Sequence, residues 1–485
     1  MARKSITLAA AALAALAIGY PAASWYFGTQ IAAAHAEMDA RIAAVPYLKL
    51  IRHDYERGPF SASEILTIEV PASLFRAPAS ASAAPAPPPL RVTIRTSIEH
   101  GPLAGFNALA AGRASSRIEV EGPFGEVVRE AFGGKPALEI HTLYDFRGGG
   151  HSTVTSPAFK LALPGAEPGR QASLSGDGLG MAVQFGKSLG QYTLTGHAPR
   201  FELTEMDGAR MVMTDLRLES RQQRLFPDEP LLYVGTQQLT LASLSIHAGP
   251  GEGQEAGKKI SLKEIKYDVH MPAEGEFVDI LARIGAATVQ VGEQNYGPAN
   301  YDFSLKHLHA RKLMALNRSL MALHAQSWNA QDAQQMLQAL APLKDQLVAL
   351  LVDTPVVSIE RIGFRTPDGE ARLGASVRLV DARTEDFANP LMLLAKLDAA
   401  ADIAVPAALL STLAAGQAAG EEEAQVLRQG AEHNVASLVR QGYVIADGNM
   451  LKSSLTFKSG QLQVNGVPFN PLAMALQPPG TAPAQ

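Results

Sequence analysis

Histidines and carboxylates are the side chains of this 485-residue sequence that could support chemistry, because it contains no cysteine. Without cysteine, the chain has no disulfide, thiolate metal site, cysteine nucleophile or lipidated cysteine. His307 and His309 could bind a metal ion on one strand face, but no carboxylate near them in the sequence completes a set of three or four ligands. We therefore predict no metal site and no cofactor, and we expect both histidines to face solvent.

His100 stands at the end of a predicted strand, in the segment Glu99-His100-Gly101-Pro102. General acid–base catalysis would need a positioned partner, and Glu99 points to the opposite face if both residues are extended. The alternative is a turn, in which Gly101 supplies unusual backbone angles and Pro102 fixes the exit. We favour the turn.

Arg57 lies within the segment Tyr55–Ser61, soon after the predicted first helix. Its guanidinium group could contact an anionic lipid headgroup or a partner, because guanidinium binds phosphate well. The alternative is an ion pair with a carboxylate such as Glu64, with packing on Tyr55. Both interpretations stay open from the sequence.

An acidic cluster at Glu202, Glu205 and Asp207 has the residue type of a glycosidase pair. Its position beside Gly208, at the end of a predicted strand, is more typical of a solvated turn. The glycines at 148–150 are not a phosphate loop, because no lysine followed by serine or threonine comes after them. No serine nucleophile motif appears either, so we predict no catalytic residues.

The elements that position these residues are predicted to form a large globular body. Hydrophobic residues make up 47% of the chain and charged residues 18%, which is typical of a folded protein. The 42 glycines and 31 prolines imply many turns and favour strands over a helical array. The net charge of -5 excludes the positive surface of a general nucleic-acid binder, so we expect no nucleic-acid partner.

The N-terminal segment is predicted to be a transmembrane helix. Residues 6–27 carry no charge, and their number matches the roughly 20 residues that cross a bilayer as a helix. Because Arg3 and Lys4 precede the segment, we expect a cytoplasmic N-terminus and an exported body in a single-pass membrane protein. The alternative is a signal peptide cleaved after the small residues at 22–24, which the aromatic residues at 25–27 disfavour.

Periodicity changes along the chain and divides it into five segments. Short runs that alternate apolar and polar residues, without helical crossovers, predict antiparallel strand pairing. The predicted segments are a transmembrane anchor at 1–30, a juxtamembrane stalk and first strand at 31–75, a Pro/Ala-rich loop at 76–89, an antiparallel β-rich region at 90–303, and an α+β region with a helical hairpin and a C-terminal β-hairpin at 304–485.

Helical spacing of leucine and methionine enters the sequence after Ser304. The runs Leu313–Leu323 and Met336–Leu350, separated by polar residues, predict an antiparallel helical hairpin whose apolar seam could also pair two copies of the chain. Further helices are predicted at Pro390–Leu397, Pro406–Ala415 and Glu421–Arg440, and a final hairpin at Lys452–Val464. We therefore predict the α+β class: an N-terminal transmembrane helix, then a large twisted antiparallel β-sheet with helices packed on one face.

Five short motifs resemble the YdgA-like family of bacterial envelope proteins, a domain of unknown function. They are Trp25–Gly28, Tyr55–Ser61, Ile98–Pro102, Ala404–Pro406 and Ser459–Gly466. Within them, the residues that we single out as a family-like structural motif are Tyr55, Gly58, Phe60, His100, Gly101 and Pro102. The resemblance implies an inner-membrane anchor with a large periplasmic β-rich body, and it carries over no catalytic or binding residue.

These patterns favour a non-enzymatic protein that binds or scaffolds in the bacterial envelope. We expect it to hold a lipid or an envelope protein on the apolar face of its sheet. One alternative is a purely structural or assembly protein that forms a homodimer through its helices. Another is an envelope hydrolase acting through His100 or the acidic cluster.

Overall fold

The helices and strands are described for most of the chain in a computed structural model. The described residues are 2–45, 47–71, 89–105, 107–164, 171–205, 208–249, 259–292, 294–325, 343–415 and 420–469. The predicted Pro/Ala-rich loop, except its last residue, lies outside them. The predicted link of the helical hairpin lies outside them too, together with Met336 and Leu340.

Contacts within the chain divide it into two compact units. Unit 1 contains Met1–Lys259 and Met314–Leu343, and unit 2 contains Ile260–Leu313 and Lys344–Gln485. This division differs from the predicted boundary between residues 303 and 304. The observed division depends on which strands pair with one another. The predicted boundary was placed where helical spacing of apolar residues begins in the sequence.

Unit 1 begins with helix α1 (Ala2–Ala43) and also contains the short helix α2 (Pro123–Ala131). Its strands are β1 (Lys49–Arg57), β2 (Ser61–Val70), β3 (Leu90–His100), β4 (Leu103–Ala104), β5 (Ala108–Leu109), β6 (Gly112–Glu121), β7 (Leu138–Tyr144), β8 (Gly150–Ser156), β9 (Phe159–Pro164), β10 (Gln171–Gly176), β11 (Leu179–Phe185), β12 (Gln191–Thr204), β13 (Arg210–Arg224) and β14 (Tyr233–His247). The main sheet pairs antiparallel in the order β1-β2-β3-β6-β7-β8-β11-β12-β13-β14. Strand β10 pairs with β9 and β12, and β4 pairs with β5.

The core of unit 1 lies between α1 and the first strands of the sheet. Ile31 of α1 packs with Ala62, Ile98 and Ala114, which come from β2, β3 and β6. Exposed and buried residues alternate along the first part of β2, as expected for an extended strand with one face in the core. Ser61 and Ser63 are exposed, whereas Ala62 and Glu64 are buried. Full burial of an isoleucine such as Ile31 or Ile98 contributes about 1.5–3 kcal/mol. The buried face of β2 therefore holds α1 on the sheet.

Unit 2 contains the strands β15 (Lys259–Met271), β16 (Ala273–Glu274), β17 (Phe277–Val291), β18 (Gln294–Tyr296), β19 (Ala299–His309), β20 (Val356–Thr366), β21 (Gly369–Leu379), β22 (Leu397–Pro406), β23 (Ile445–Asp447), β24 (Met450–Lys458), β25 (Gln461–Val464) and β26 (Val467–Pro468). Antiparallel pairing runs in the order β15-β17-β19-β20-β21-β22-β24-β25-β26. Helix α3 (Ala310–Ala325) begins in unit 2 and belongs to unit 1 from Met314 onward. The remaining helices are α4 (described at residues 343–351), α5 (Pro390–Lys396), α6 (Ala407–Ala415) and α7 (Glu421–Arg440).

Much of the predicted secondary structure is confirmed. Among the described residues, 24 strands belong to one sheet pattern. Their pairing is antiparallel, as the short runs separated by turns predict. Helices α5, α6 and α7 lie within a residue of their predicted bounds, and β24 and β25 form the predicted C-terminal hairpin. The three acidic residues at the start of α7 suit the positive end of its dipole.

Three of the elements that the sequence did not predict are strands β1 and β22 and helix α2. Strand β1 occupies part of the predicted stalk. Its central residues Arg52, His53 and Asp54 are charged or polar, so the sequence shows no alternation of apolar residues there. The strand is stabilised by pairing with β2 and not by an apolar face. The alanine-rich β22 was missed because alanine favours helix, whereas its pairing with β21 and β24 decides its conformation. Helix α2 was missed because it is only nine residues long.

Helix α1 is continuous through the predicted anchor and into the predicted stalk. Its continuation beyond residue 31 confirms that part of the prediction. Among the residues that the structure describes, no helix has the length and apolar character needed to cross a membrane. The transmembrane anchor stays a prediction.

Candidate functional site

One face of α1 lies against the sheet of unit 1. The residues that carry this face are Tyr20, Ser24, Gly28, Ile31, His35 and Asp39. Their spacing of three or four residues places them on one side of a helix. Ser24 is fully buried and Ile31 is 3% exposed, so the helix is packed closely from the middle onward. This docked face begins within the segment predicted as the anchor.

Phe60 and Gly58, from the predicted structural motif, form part of the surface that receives α1. The ring of Phe60 stacks on Tyr20 with 6.0 Å between ring centroids. Gly58 donates a backbone hydrogen bond of 2.8 Å to the carbonyl oxygen of Ser61, which closes the turn between β1 and β2. The motif therefore shapes the hairpin on which the helix rests.

His100 is packed directly beneath α1. It is 2% exposed, and a Cβ placed on Gly28 would lie 2.5 Å from its ring atom Cε1. Its Nδ1 lies 3.5 Å from the carbonyl oxygen of Pro59, and Nε2 has no hydrogen-bond partner among the described residues. Burial lowers the pKa of His100, which favours the neutral imidazole. The geometry is that of a packing residue against the closest part of the helix.

The chain bends at Gly101 and Pro102, directly after His100, and the physical role of Gly101 differs from the prediction. A Cβ on Gly101 would lie 1.8 Å from the carbonyl oxygen of Ala110, so glycine is required by close backbone approach and not by unusual angles. Its N–H donates to the carbonyl oxygen of Ala111 at 2.7 Å. Pro102 follows a cis peptide bond, and its carbonyl oxygen accepts from Ala110 at 3.1 Å.

Arg57 contacts α1 and does not pair with Glu64. Its guanidinium carbon lies 3.9 Å from the ring centroid of Trp25, and Nη1 donates to Thr29 Oγ1 at 2.7 Å. The alternative of an ion pair with Glu64 is not the arrangement seen, and that carboxylate is contacted by His35 and His53. The stacking of guanidinium on indole fixes the arginine beside the helix.

A group of two histidines and two buried carboxylates lies where α1 crosses β1 and β2, with His53 at its exposed edge. We call it the His–carboxylate cluster, and its members are His35, Asp39, His53 and Glu64. His35 Nδ1 lies 2.7 Å from Glu64 Oε2, and its Nε2 lies 3.0 Å from the hydroxyl of Tyr144. His53 Nε2 lies 3.3 Å from Glu64 Oε1 and 3.0 Å from Asp39 Oδ2. The contact with Asp39 lies outside hydrogen-bond geometry, so Oδ2 has no hydrogen-bond partner among the described residues.

The electrostatics of the cluster follow from its burial. Asp39 is 8% exposed and Glu64 is 6% exposed. Burial raises the pKa of Asp39, which His53 opposes and Glu64 reinforces. Burial also acts to raise the pKa of Glu64, but hydrogen bonds and charge from His35 and His53 outweigh it and hold that pKa below its usual value. Burial and the negative charge of Glu64 raise the pKa of Tyr55 to about 12 and also raise that of Tyr144.

Sequence reasoning missed this cluster and considered Glu64 only as a partner for Arg57. Its members come from a helix and two strands, so no local motif joins them. One signal was present: His35 and Asp39 are four residues apart, which places two ligand-type side chains on one face of a helix. Asp39, His53 and Glu64 each offer one atom, all within 4.8 Å of one another, and these are residues that could hold a metal ion.

The other histidines and acids considered in the sequence are not members of this cluster. His307 is exposed and stacks on Phe277 at 4.0 Å, which agrees with the predicted solvent-facing position. His309 is half-buried, and Nε2 lies 3.3 Å from Glu276 Oε2.

Glu202 is held by two arginines and is not a freely solvated turn residue. Glu202 Oε2 accepts from Arg200 and Oε1 pairs with Arg210, each at 2.7 Å. Hydrogen bonds from Arg210 and Arg200 lower the pKa of Glu202 to about 2. Asp207, the third member of the predicted acidic cluster, lies outside the described residues.

An open apolar surface lies on the sheet of unit 2. We call it the apolar trough, and the main lining side chains are Val357, Ile359, Val377, Leu455, Phe457 and Leu462. It extends over β20, β21, β22, β24 and β25 and has a cavity volume of about 370 Å³. Val357 and Val377 are 43% and 37% exposed. Thr456, between Leu455 and Phe457 on β24, points to the opposite face and is exposed.

Comparison with known proteins gives one match. The model of a family described as "Bacterial protein of unknown function (DUF945)" matches residues 2–471. The chain belongs to the DUF945 family. No curated protein and no solved structure matches it.

Membership of the DUF945 family confirms the coarser form of the predicted resemblance. A bacterial family of unknown function covers nearly the whole chain, including α1, the His–carboxylate cluster and the apolar trough. The finer YdgA-like name stays a prediction. The family description names no activity, so the role of this DUF945 chain has to be argued from its surfaces.

Proposed function

We propose that the chain is a membrane-anchored protein of the bacterial envelope that binds an apolar ligand without catalysing a reaction. The ligand class is a lipid, held by its acyl chain on the apolar trough of unit 2. The observation that carries this proposal is the exposure of Val357 and Val377 within a continuous apolar surface. An apolar sheet face of this kind is normally covered in a soluble protein, and larger exposed patches mark binding sites.

The dimensions of the trough suit an acyl chain. A volume of about 370 Å³ falls in the range of ligand-binding clefts. Five neighbouring strands at about 4.8 Å spacing give a width of roughly 19 Å. One leaflet of a bilayer core measures about 15 Å, which is the length of an acyl chain. Each buried methylene group would contribute about 0.8 kcal/mol.

Charge distribution in the first residues supports the membrane location. Arg3 and Lys4 precede an uncharged segment at 6–27, which favours a cytoplasmic N-terminus and a periplasmic body. Arg57 and Trp25 are stacked at the end of this segment and would suit contact with an anionic headgroup. The experiment is a pair of C-terminal fusions in bacteria. We expect a periplasm-active phosphatase to be active and a fluorescent protein that matures in the cytosol to be dark; the reverse pattern contradicts the location.

Lipid binding is tested on the full chain purified in detergent. We expect a fluorescent fatty acid to bind and to be displaced by phospholipid. Val377→Asp places a charge in the apolar trough and is expected to weaken binding by tenfold or more, because the charge must be desolvated. Thr456→Asp is the matched control, since it places the same charge at an exposed position on the opposite strand face. Equal binding by the two variants would contradict the proposal.

A second candidate is an assembly role, in which two copies of the chain pair through helices. The observation that favours it is Leu347 in α4, which is 45% exposed, whereas Leu350 one turn later is 6% exposed. Leu347→Glu is expected to convert a dimer to a monomer in light scattering of the full chain. An unchanged molar mass would remove this candidate.

A further inference from the structure

The His–carboxylate cluster combines three side chains of metal-ligand type in one place, two of them buried (Asp39 and Glu64) and one exposed (His53). Asp39 comes from α1, His53 from β1 and Glu64 from β2, and all three belong to unit 1. An imidazole nitrogen and two carboxylate oxygens form a donor set that divalent transition metals such as Zn²⁺ accept. The apolar trough and the proposed ligand play no part in this argument.

The distances between the donor atoms suit a single ion. Bonds of about 2.0–2.2 Å in tetrahedral geometry place neighbouring donors roughly 3.3–3.6 Å apart. His53 Nε2 lies 3.0 Å from Asp39 Oδ2 and 3.3 Å from Glu64 Oε1, so both pairs are already close to that separation. All three donor atoms lie within 4.8 Å of one another. Small side-chain rotations would bring the set onto one centre.

One carboxylate oxygen of the cluster, Asp39 Oδ2, accepts no hydrogen bond from the described residues, although it lies 3.0 Å from His53 Nε2. Asp39 is 8% exposed, and its Oδ2 has no hydrogen-bond partner among the described residues. A buried carboxylate oxygen without a partner is costly, and a second carboxylate 6% exposed in the same place adds repulsion. A bound cation would satisfy the oxygen and offset the repulsion between Asp39 and Glu64.

Glu64 is held by hydrogen bonds of the kind that orient carboxylate ligands in metal sites. His35 Nδ1 holds the second oxygen, Glu64 Oε2, at 2.7 Å, which leaves Oε1 directed toward His53. His35 is itself fixed by the hydroxyl of Tyr144 at 3.0 Å. Hydrogen bonds of this kind orient a carboxylate ligand and strengthen its binding. His35 is therefore a positioning residue and not one of the three ligands.

We propose that Asp39, His53 and Glu64 bind one divalent transition metal ion, with Zn²⁺ as the reference ion, and that the ion fastens α1 to the β1–β2 hairpin. Water would complete the coordination, because three protein ligands leave a position open. The ion joins three separate elements, so its effect is to hold the helix on the sheet.

The test uses the full chain in detergent, stripped with a chelator and then supplied with Zn²⁺ or Co²⁺. We expect one Zn²⁺ per chain to remain after desalting, the visible absorption of four-coordinate Co²⁺, and an unfolding midpoint that rises with Zn²⁺ concentration. No binding by the unaltered chain overturns the proposal, and this measurement needs no variant to fold.

A graded set of variants then assigns the ligands. His53→Ala and Asp39→Asn are expected to abolish the Co²⁺ absorption, and His35→Phe to weaken Zn²⁺ binding about 10–100-fold through loss of positioning. His197→Ala is the matched control, since His197 also pairs with an aspartate, Asp215 at 2.9 Å, but on an exposed surface of unit 1. Circular dichroism confirms that each variant is folded. Binding that survives in folded His53→Ala and Asp39→Asn overturns the proposal.

Discussion

The His–carboxylate cluster of unit 1 and the apolar trough of unit 2 are both built on antiparallel strands, yet their side chains are satisfied in opposite ways. In the cluster, the two buried carboxylates are contacted by histidines from a helix and a strand. In the trough, apolar side chains stay partly exposed to solvent. The cluster therefore fixes one element of the chain to another, whereas the trough leaves apolar side chains exposed.

The largest effect is expected from Glu64→Ala in the cluster. This substitution leaves His35 and His53 without their carboxylate, and loss of one partner from a buried pair costs about 3–5 kcal/mol. We expect hydrogen exchange of the amides of β2 to accelerate by a factor that corresponds to this loss.

Glu139→Ala is the control for Glu64→Ala, because Glu139 lies in β7 with its side chain 39% exposed, 4.0 Å from Arg117. We expect the control to change stability by less than about 0.5 kcal/mol. Equal exchange rates in the two variants would mean that the cluster does not hold the sheet together.

An intermediate effect is expected from Gly28→Ala on α1. The added Cβ would lie 2.5 Å from the buried ring of His100, and such overpacking costs about 1–3 kcal/mol. Gly19→Ala on the same helix meets nothing within 4 Å, so it should stabilise the helix by up to about 1 kcal/mol. Hydrogen exchange of the α1 amides measures the stability change in each variant. A stabilising effect of both substitutions would show that α1 does not dock at Gly28.

A smaller effect is expected from Glu202→Gln, which tests pairing near the surface instead of in the core. Because arginines hold the pKa of Glu202 at about 2, below its unfolded value, the unfolded state takes up its proton first as pH falls. The stabilisation is fully present above the unfolded pKa near 4.5 and is lost as pH approaches 2.

We expect Glu202→Gln to lower stability by about 1 kcal/mol or less at pH 7, with a difference that shrinks steadily below pH 4.5. Urea unfolding midpoints of the variant and the unaltered chain at several pH values provide the measurement. A difference that grows as pH falls would contradict the assigned pKa direction.

The smallest effect is expected from Val357→Ala in the trough. Val357 is 43% exposed, so its truncation should change stability by less than about 0.5 kcal/mol. Ile98→Ala in the core of unit 1 removes a side chain that is 0% exposed and should cost about 2–5 kcal/mol. Hydrogen exchange of β20 and β3 reports the two values, and a large loss for Val357→Ala would mean that the trough is structural core.

Local periodicity predicted the elements whose residues signal their own conformation. Helix α7 is indicated by its acidic first turn and by the helical spacing of its apolar residues. The turn between β24 and β25 is indicated by the neighbouring residues Ser459 and Gly460. The alanines of β22 and the charges of β1 gave the opposite signal, because their conformation depends on partner strands distant in sequence.

The candidate sites divide in the same way. The Tyr55–Ser61 and His100–Pro102 motifs were recognised as structural, and the structure adds that both support α1. The His–carboxylate cluster could not be predicted from spacing, because Asp39, His53 and Glu64 meet only when the helix crosses the hairpin. Tyr144 joins them from a strand 80 residues further along the chain than Glu64.

The docked face of α1 has a mechanical consequence. Contacts recur at every turn from Tyr20 to Asp39, so the helix has no swivel point between its apolar start and the β-sheet of unit 1. If the start of the helix is embedded in a bilayer, as we propose, unit 1 cannot rotate independently of it. Its tilt and its height above the lipid surface would then be set by a rigid rod and not by a flexible tether.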